Sequence, residues 1–142
     1  AYVKQIDGSI GYVEYAYALT NHMTHAQMQN HAGKFVQAED AAFEAAASGA
    51  NWHGAKDFYL VMTDAAGAKS WPIAGSTFIL MHKTQSNAAQ AGEALKFFKW
   101  AYAHGEGAAK ELHYVPIPKK VAELIEKSWK QNIKGVNFNK TL

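Results

Sequence analysis

Histidine is the residue type here with the widest capacity for chemistry, since seven occur in 142 residues and cysteine is absent. Imidazole is the commonest metal ligand and the side chain that titrates nearest neutrality. His22, His25 and His31 share one polar segment, and a metal-dependent or histidine-based enzyme built on this chain would use those three. Their spacing, however, matches neither the i, i+4 pair of a zinc-protease helix nor a zinc finger, and no carboxylate accompanies them closely. They read as solvated loop histidines, with no metal and no cofactor expected. His53, His82, His104 and His113 are isolated from one another in the sequence.

Other catalytic signatures are weaker. Without cysteine there are no disulfides, no thiolate nucleophile and no zinc–cysteine site. The serines include no nucleophile elbow, and the carboxylates show no spacing that pairs two of them for acid and base roles. Gly105-Glu106-Gly107 lacks the third glycine and the preceding strand of a dinucleotide fingerprint, so both glycines read as a helix terminator and its loop. Gly75-Ser76-Thr77 could offer N–H groups and hydroxyls to an anion, but a strand follows where a helix N-terminus would be needed. These small residues read better as a hinge or a tight packing site. The net charge is +2 and no more than two lysines are adjacent, which argues against a nucleic-acid surface. Nothing local argues for an enzyme.

The elements that would position any site are organised around residues 70–83. Residues 77–81 (Thr-Phe-Ile-Leu-Met) form a short apolar run with β-branched and aromatic members, predicting a buried strand. Ahead of it, Pro72 biases Trp71 away from helix, and Ala74, Gly75 and Ser76 can absorb backbone rotation. The stretch therefore reads as the connection between two lobes, with Pro72, Ile73, Ala74, Gly75 and Ser76 as the hinge.

Before the crossing, Tyr12, Val13, Tyr15 and Tyr17 favour a strand over residues 10–17. A hairpin is expected from residues 26–29 to Phe35 and Val36 around a turn at residues 30–33. An alanine-rich helix should run over residues 38–48 and stop at Gly49. Residues 58–62 leave strand and helix open. After the crossing, Ser86 or Asn87 should cap a helix reaching about His104, with Ala91, Leu95, Phe98 and Tyr102 on one face. Pro118 opens a final helix whose apolar face carries Val121, Leu124, Ile125, Trp129 and Ile133. The tail from Gly135 is polar and expected to fray. An apolar fraction of 49% with 18 aromatic residues supplies ample core material, and no apolar run approaches the ~20 residues of a helical membrane span. The chain starts at Ala1 and not at Met, with residues that already read as ordered structure, so a processed product, a tagless expression product or a fragment is expected.

Several blocks together resemble one known family. They are residues 8–17 (Gly-Ser-Ile-Gly-Tyr-Val-Glu-Tyr-Ala-Tyr), Trp71-Pro72-Ile73, residues 77–83, residues 95–102 (Leu-Lys-Phe-Phe-Lys-Trp-Ala-Tyr), Trp129-Lys130 and Asn132-Ile133. In this order and spacing they resemble the carboxy-terminal part of the periplasmic phosphate-binding proteins of bacterial phosphate ABC transporters, the PstS family. The histidine-bearing segment, residues 22–37, is the least family-like.

The resemblance implies an α/β, two-lobed, type II-like periplasmic binding protein that closes on one phosphate ion about the crossing near residues 72–76. Residues 1–73 would belong to the second lobe, and residues 74–142 would return to complete the first, neither being a whole domain. It further implies a monomer when complete, located in the periplasm, whose partners are inorganic phosphate and the membrane permease of the transporter. In that family a carboxylate accepts a hydrogen bond only from a protonated phosphate oxygen, which rejects sulfate. An arginine also grips the ion, and this sequence contains no arginine. No direct phosphate ligand is therefore expected in these residues. Each piece should also expose an apolar face in the absence of its missing partner.

Overall fold

The computed structural model describes residues 2–138, which form a mixture of helix and sheet with short strands. A 3-10 turn at Tyr2–Lys4 leads to residues 10–14, which carry no regular structure, and then to helix α1, Tyr15–Thr20. The expected strand over residues 10–17 is thus corrected. No neighbouring strand is available to it among the described residues, while the small side chains of Ala16 and Ala18, both buried, let a helix pack closely. Ile10 and Tyr12, the residues that would have filled a strand, stand 93% and 99% exposed.

The expected hairpin is present. Strand β1, Met28–Gln29, pairs antiparallel with β2, Phe35–Val36, in the register Met28 to Val36 and Gln29 to Phe35. Gly33, at φ +72°, takes the left-handed conformation that its turn requires. Helix α2 spans Asp40–Ser48 and ends at Gly49, whose amide donates to the Ala45 carbonyl while the Ala50 amide donates to that of Ala47. Residues 58–62 divide between a 3-10 turn at Lys56–Phe58 and the start of strand β3, Met62–Thr63. That strand pairs antiparallel with β4, Ile73–Ala74, inside the crossing itself.

Beyond the crossing, α3 covers Ala88–His104, with the Asn87 side chain accepting from the Gln90 amide at 3.0 Å as a proper N-cap. Ala91 and Leu95 are buried, and Phe98 and Tyr102 half-buried, as the face predicted. Gly105 ends α3, but Gly107 does not lie in a loop: Glu106–Glu111 form a further short helix, α4. A Lys110–Glu106 ion pair one turn apart supports it at 2.6 Å. Helix α5, Lys119–Asn132, begins directly after Pro118 and buries Val121. Trp129 stacks on Tyr102 of α3 with ring centres 6.1 Å apart.

Past α5 the chain first docks. Lys134 donates to the Lys83 carbonyl at 2.7 Å and accepts from the Gln85 amide, making a parallel bridge with Thr84. Of the tail expected to fray, residues 139–142 lie outside the described residues. No helix among the described residues is long and apolar enough to cross a membrane.

Two buried clusters hold these elements. One gathers Ala38, Ala42 and Trp71, with Tyr15, Met28, Val36 and Phe43 against it. The other gathers Ala47, Trp52, Met62 and Val121, with Leu60, Leu124 and Ile125 among its neighbours. The second cluster draws on both sides of the crossing. In this chain Trp52 and Met62 pack against Val121, Leu124 and Ile125 of α5.

Candidate functional site: the crossing around Pro72

The crossing is fastened on one side and loose on the other. Ser70, only 1% exposed, donates its hydroxyl to the Ala66 carbonyl at 2.7 Å. Trp71 donates its amide to the Ala42 carbonyl at 3.0 Å, and its ring meets Phe43, which in turn meets Tyr15 at 5.1 Å. Burial, together with the charges of Asp40 and Glu39, raises the Tyr15 phenol above its ordinary pKa of 10.0. Pro72 is buried, and its carbonyl accepts from the Asp64 amide at 2.7 Å. Ile73 and Ala74 are then held by β3.

From Gly75 onward these restraints end. A side chain added at Gly75 would meet nothing within 4 Å, and the hydroxyls of Ser76 and Thr77 bond to no described residue. The expected buried strand at residues 77–81 is absent: the segment has no regular structure, Phe78 and Ile79 are exposed and Leu80 is 93% exposed. A strand needs a partner about 4.8 Å away to satisfy its backbone, and no described residue supplies one.

The sequence gives no hint of what anchors the fastened side. Asn30, 5% exposed, is the hub. Its amide nitrogen reaches the carbonyls of Gly67, Ala68 and Ser70 at 3.1–3.2 Å, and its oxygen accepts from the amides of Ala32 and Lys34. The hairpin turn is thereby clipped to the loop that delivers the crossing. An Asx-type turn was legible at Asn30, since asparagine commonly bonds backbone two residues on. Its grip on a loop 40 residues distant was not.

The histidines do not converge. His22 sits at a positive φ of 49°, His25 approaches its neighbour carbonyl of Met23 and the edge of Tyr15, and His31 pairs with Asp64 at 2.9 Å on the surface. His104 stacks on Trp100, and His53 lines a cleft elsewhere. Among the described residues no three His, Asp or Glu side chains are grouped to hold a metal ion.

That cleft, about 290 Å3, lies between the 3-10 turn and α5, with Trp52, Asp57, Phe58, Lys127 and Gln131 on its walls. Asp57 and Phe58 occupy it in left-handed backbone conformations, at φ 53° and 60°. Lys83 ties Asp57 across the crossing at 2.9 Å, and that hydrogen bond and charge hold the Asp57 carboxyl below its ordinary value. Both groups are exposed, so the pair orients the segment more than it stabilises it. The cleft presents one committed carboxylate, one lysine and no arginine, which is not a set of groups converging on an oxyanion.

Comparison with family models finds none that matches. Comparison with curated proteins is informative. The chain is 51% identical over 134 residues to the "Phosphate-binding protein PstS" of Xylella fastidiosa, covering 94% of this chain and 37% of that protein. The proteins of the same name from Haemophilus influenzae and Pasteurella multocida are 46% and 43% identical, with 94% and 95% of this chain covered. The chain spans 37–40% of the length of these relatives. At this level of identity the chain is homologous along nearly all its length to a part of the proteins named PstS.

Proposed function

We propose that these residues belong to a solute-binding protein that captures inorganic phosphate in the periplasm and delivers it to the permease of an ABC importer. The observation that carries this reading is the 51% identity over 134 residues to a protein called a phosphate-binding protein. In this reading the chain supplies scaffold and hinge, and the direct phosphate ligands lie on polypeptide outside these residues. Residues 1–73 serve the second lobe and residues 74–142 the first. The hinge of residues 72–76 turns mainly at Gly75 and Ser76, because Pro72, Ile73 and Ala74 are held by Asp64 and β3. The complete protein acts as a monomer, and ligand sites in clefts between lobes are a common arrangement.

Calorimetry of the complete protein with phosphate and with sulfate tests the reading. Tight binding of phosphate alone is expected; equal affinity for both ions would remove phosphate selectivity. The 142-residue chain by itself should show no phosphate heat.

A further inference from the structure

Asp57 lies in the 3-10 turn ahead of the crossing, and its carboxylate accepts from the Lys83 ammonium at 2.9 Å, just past the far end of the crossing. The pairs His31–Asp64, Lys96–Glu93 and Lys110–Glu106, by contrast, each stay on one side of Pro72. Both partners of the spanning pair are rooted in their own side. The Lys83 carbonyl accepts from the Lys134 amide at 2.7 Å, where the chain leaves α5. Around Asp57 the Phe58 amide donates to Ala55 and the Tyr59 amide to Lys56. Asp57 and Phe58 take left-handed backbone conformations, at φ 53° and 60°, which residues other than glycine keep only where their surroundings impose them. The bond to Lys83 is one such imposition. Gly75, with open space around it, lies between the two ends. Rotation there changes the separation of Asp57 from Lys83. It also changes the width of the cleft that has Trp52 and Phe58 on one wall and Lys127 and Gln131 of α5 on the other.

We propose that Asp57 and Lys83 form a latch across the hinge, which sets how readily the two sides move apart and thereby tunes the affinity for phosphate. The latch rests on the phosphate-protein reading above and deepens it. The side chains of Lys83 and Asp57 are 63% and 53% exposed, so water and salt screen the bond. A weak bond that is quickly remade suits a hinge that must open and close, where a buried one would lock it. A tie made in one hinge arrangement and absent from another shifts the balance between them by no more than its own strength, and phosphate affinity follows that balance.

The test uses the complete protein with Asp57→Asn, Lys83→Met and the two combined. Asparagine tolerates the left-handed backbone, so Asp57→Asn removes the charge and leaves the turn in place. At about 10 mM salt each single variant should change the phosphate Kd by about two- to fivefold, both in the same direction. The double variant should add little to either, since all three lose the same bond. In about 1 M salt, where charges are screened within about 3 Å, the variants should match the parent protein. Small-angle X-ray scattering without phosphate is the second readout: the radius of gyration of the variants should depart from the parent's at low salt and rejoin it at high salt. Unchanged affinity and scattering at low salt, single effects of opposite sign, full additivity, or a difference that persists in high salt would each overturn the latch. A parent protein that ignores phosphate would sink the functional reading instead, and the scattering comparison would still decide the latch.

Discussion

The side-chain amide of Asn30 donates to the carbonyl of Ser70 at 3.2 Å, joining a hairpin turn to the residue that opens the crossing 40 positions later. Around it every polar atom is matched: two more carbonyls share the amide, two amides share the oxygen, and no buried side-chain polar atom lacks a partner among the described residues. A satisfied buried knot of this kind specifies one geometry, because breaking any strand of it strands a polar group away from water.

Replacing Asn30 should therefore cost more than its size suggests. Asn30→Asp turns the donor facing three carbonyls into an acceptor, and Asn30→Ala leaves those carbonyls without it. Either change should destabilise by about 1–3 kcal/mol or more, the aspartate worse, as read from urea unfolding midpoints. An unchanged midpoint for Asn30→Asp would show that the knot does not hold the crossing.

Trp52 separates packing from polarity within the other cluster. Its indole N–H donates to the Ala47 carbonyl at 2.7 Å in a buried setting, while its ring fills the space between α2 and α5. Trp52→Ala should lose about 3–5 kcal/mol through the cavity left behind. Trp52→Phe keeps much of the ring and should lose less, chiefly the hydrogen bond to Ala47. Equal losses for the two would mean the ring packs poorly.

Two glycines on either side of the crossing should respond in opposite ways. At Gly67, φ is +120° and an added Cβ would stand 2.7 Å from the Ser70 hydroxyl, so Gly67→Ala should destabilise by about 1–3 kcal/mol. Gly75 has open space around it and no positive φ, so Gly75→Ala should be neutral or stabilise by about 0.4–1 kcal/mol. In the complete protein the same Gly75→Ala change, by stiffening the proposed pivot, should slow phosphate association in stopped-flow experiments.

Alkaline stability should report on Tyr102. Burial first, and then the negative charge of Glu126, raise its phenol above the ordinary 10.0. The folded state thus holds this proton more tightly than the unfolded chain does. Its contribution is complete below about pH 10 and is lost as the pH rises through the higher folded value. Unfolding free energy measured against pH should fall in that range. Tyr102→Phe should flatten part of the fall, leaving the share due to Tyr15, whose phenol is raised as well.

Local rules were legible wherever an element satisfies itself. Asn87 as a cap, Gly49 and Gly105 as stops, and the periodic faces of α3 and α5 all follow from hydrogen bonds and side-chain spacing within a few residues. The hairpin from Met28 to Val36 belongs to the same class, since its turn is its own instruction. Even the order of blocks that marks the homology is a property of the chain alone. Tertiary structure decided the rest, because the rest depends on distant partners. It left residues 12–14 without regular structure and put Tyr15 and Tyr17 into α1, joined Asn30 to Ser70, put Trp52 beneath α5 and left residues 78–80 exposed. A strand differs from a helix in needing another segment to complete its hydrogen bonds, so its composition states what the run is suited to become, and only the presence of a neighbour makes it so.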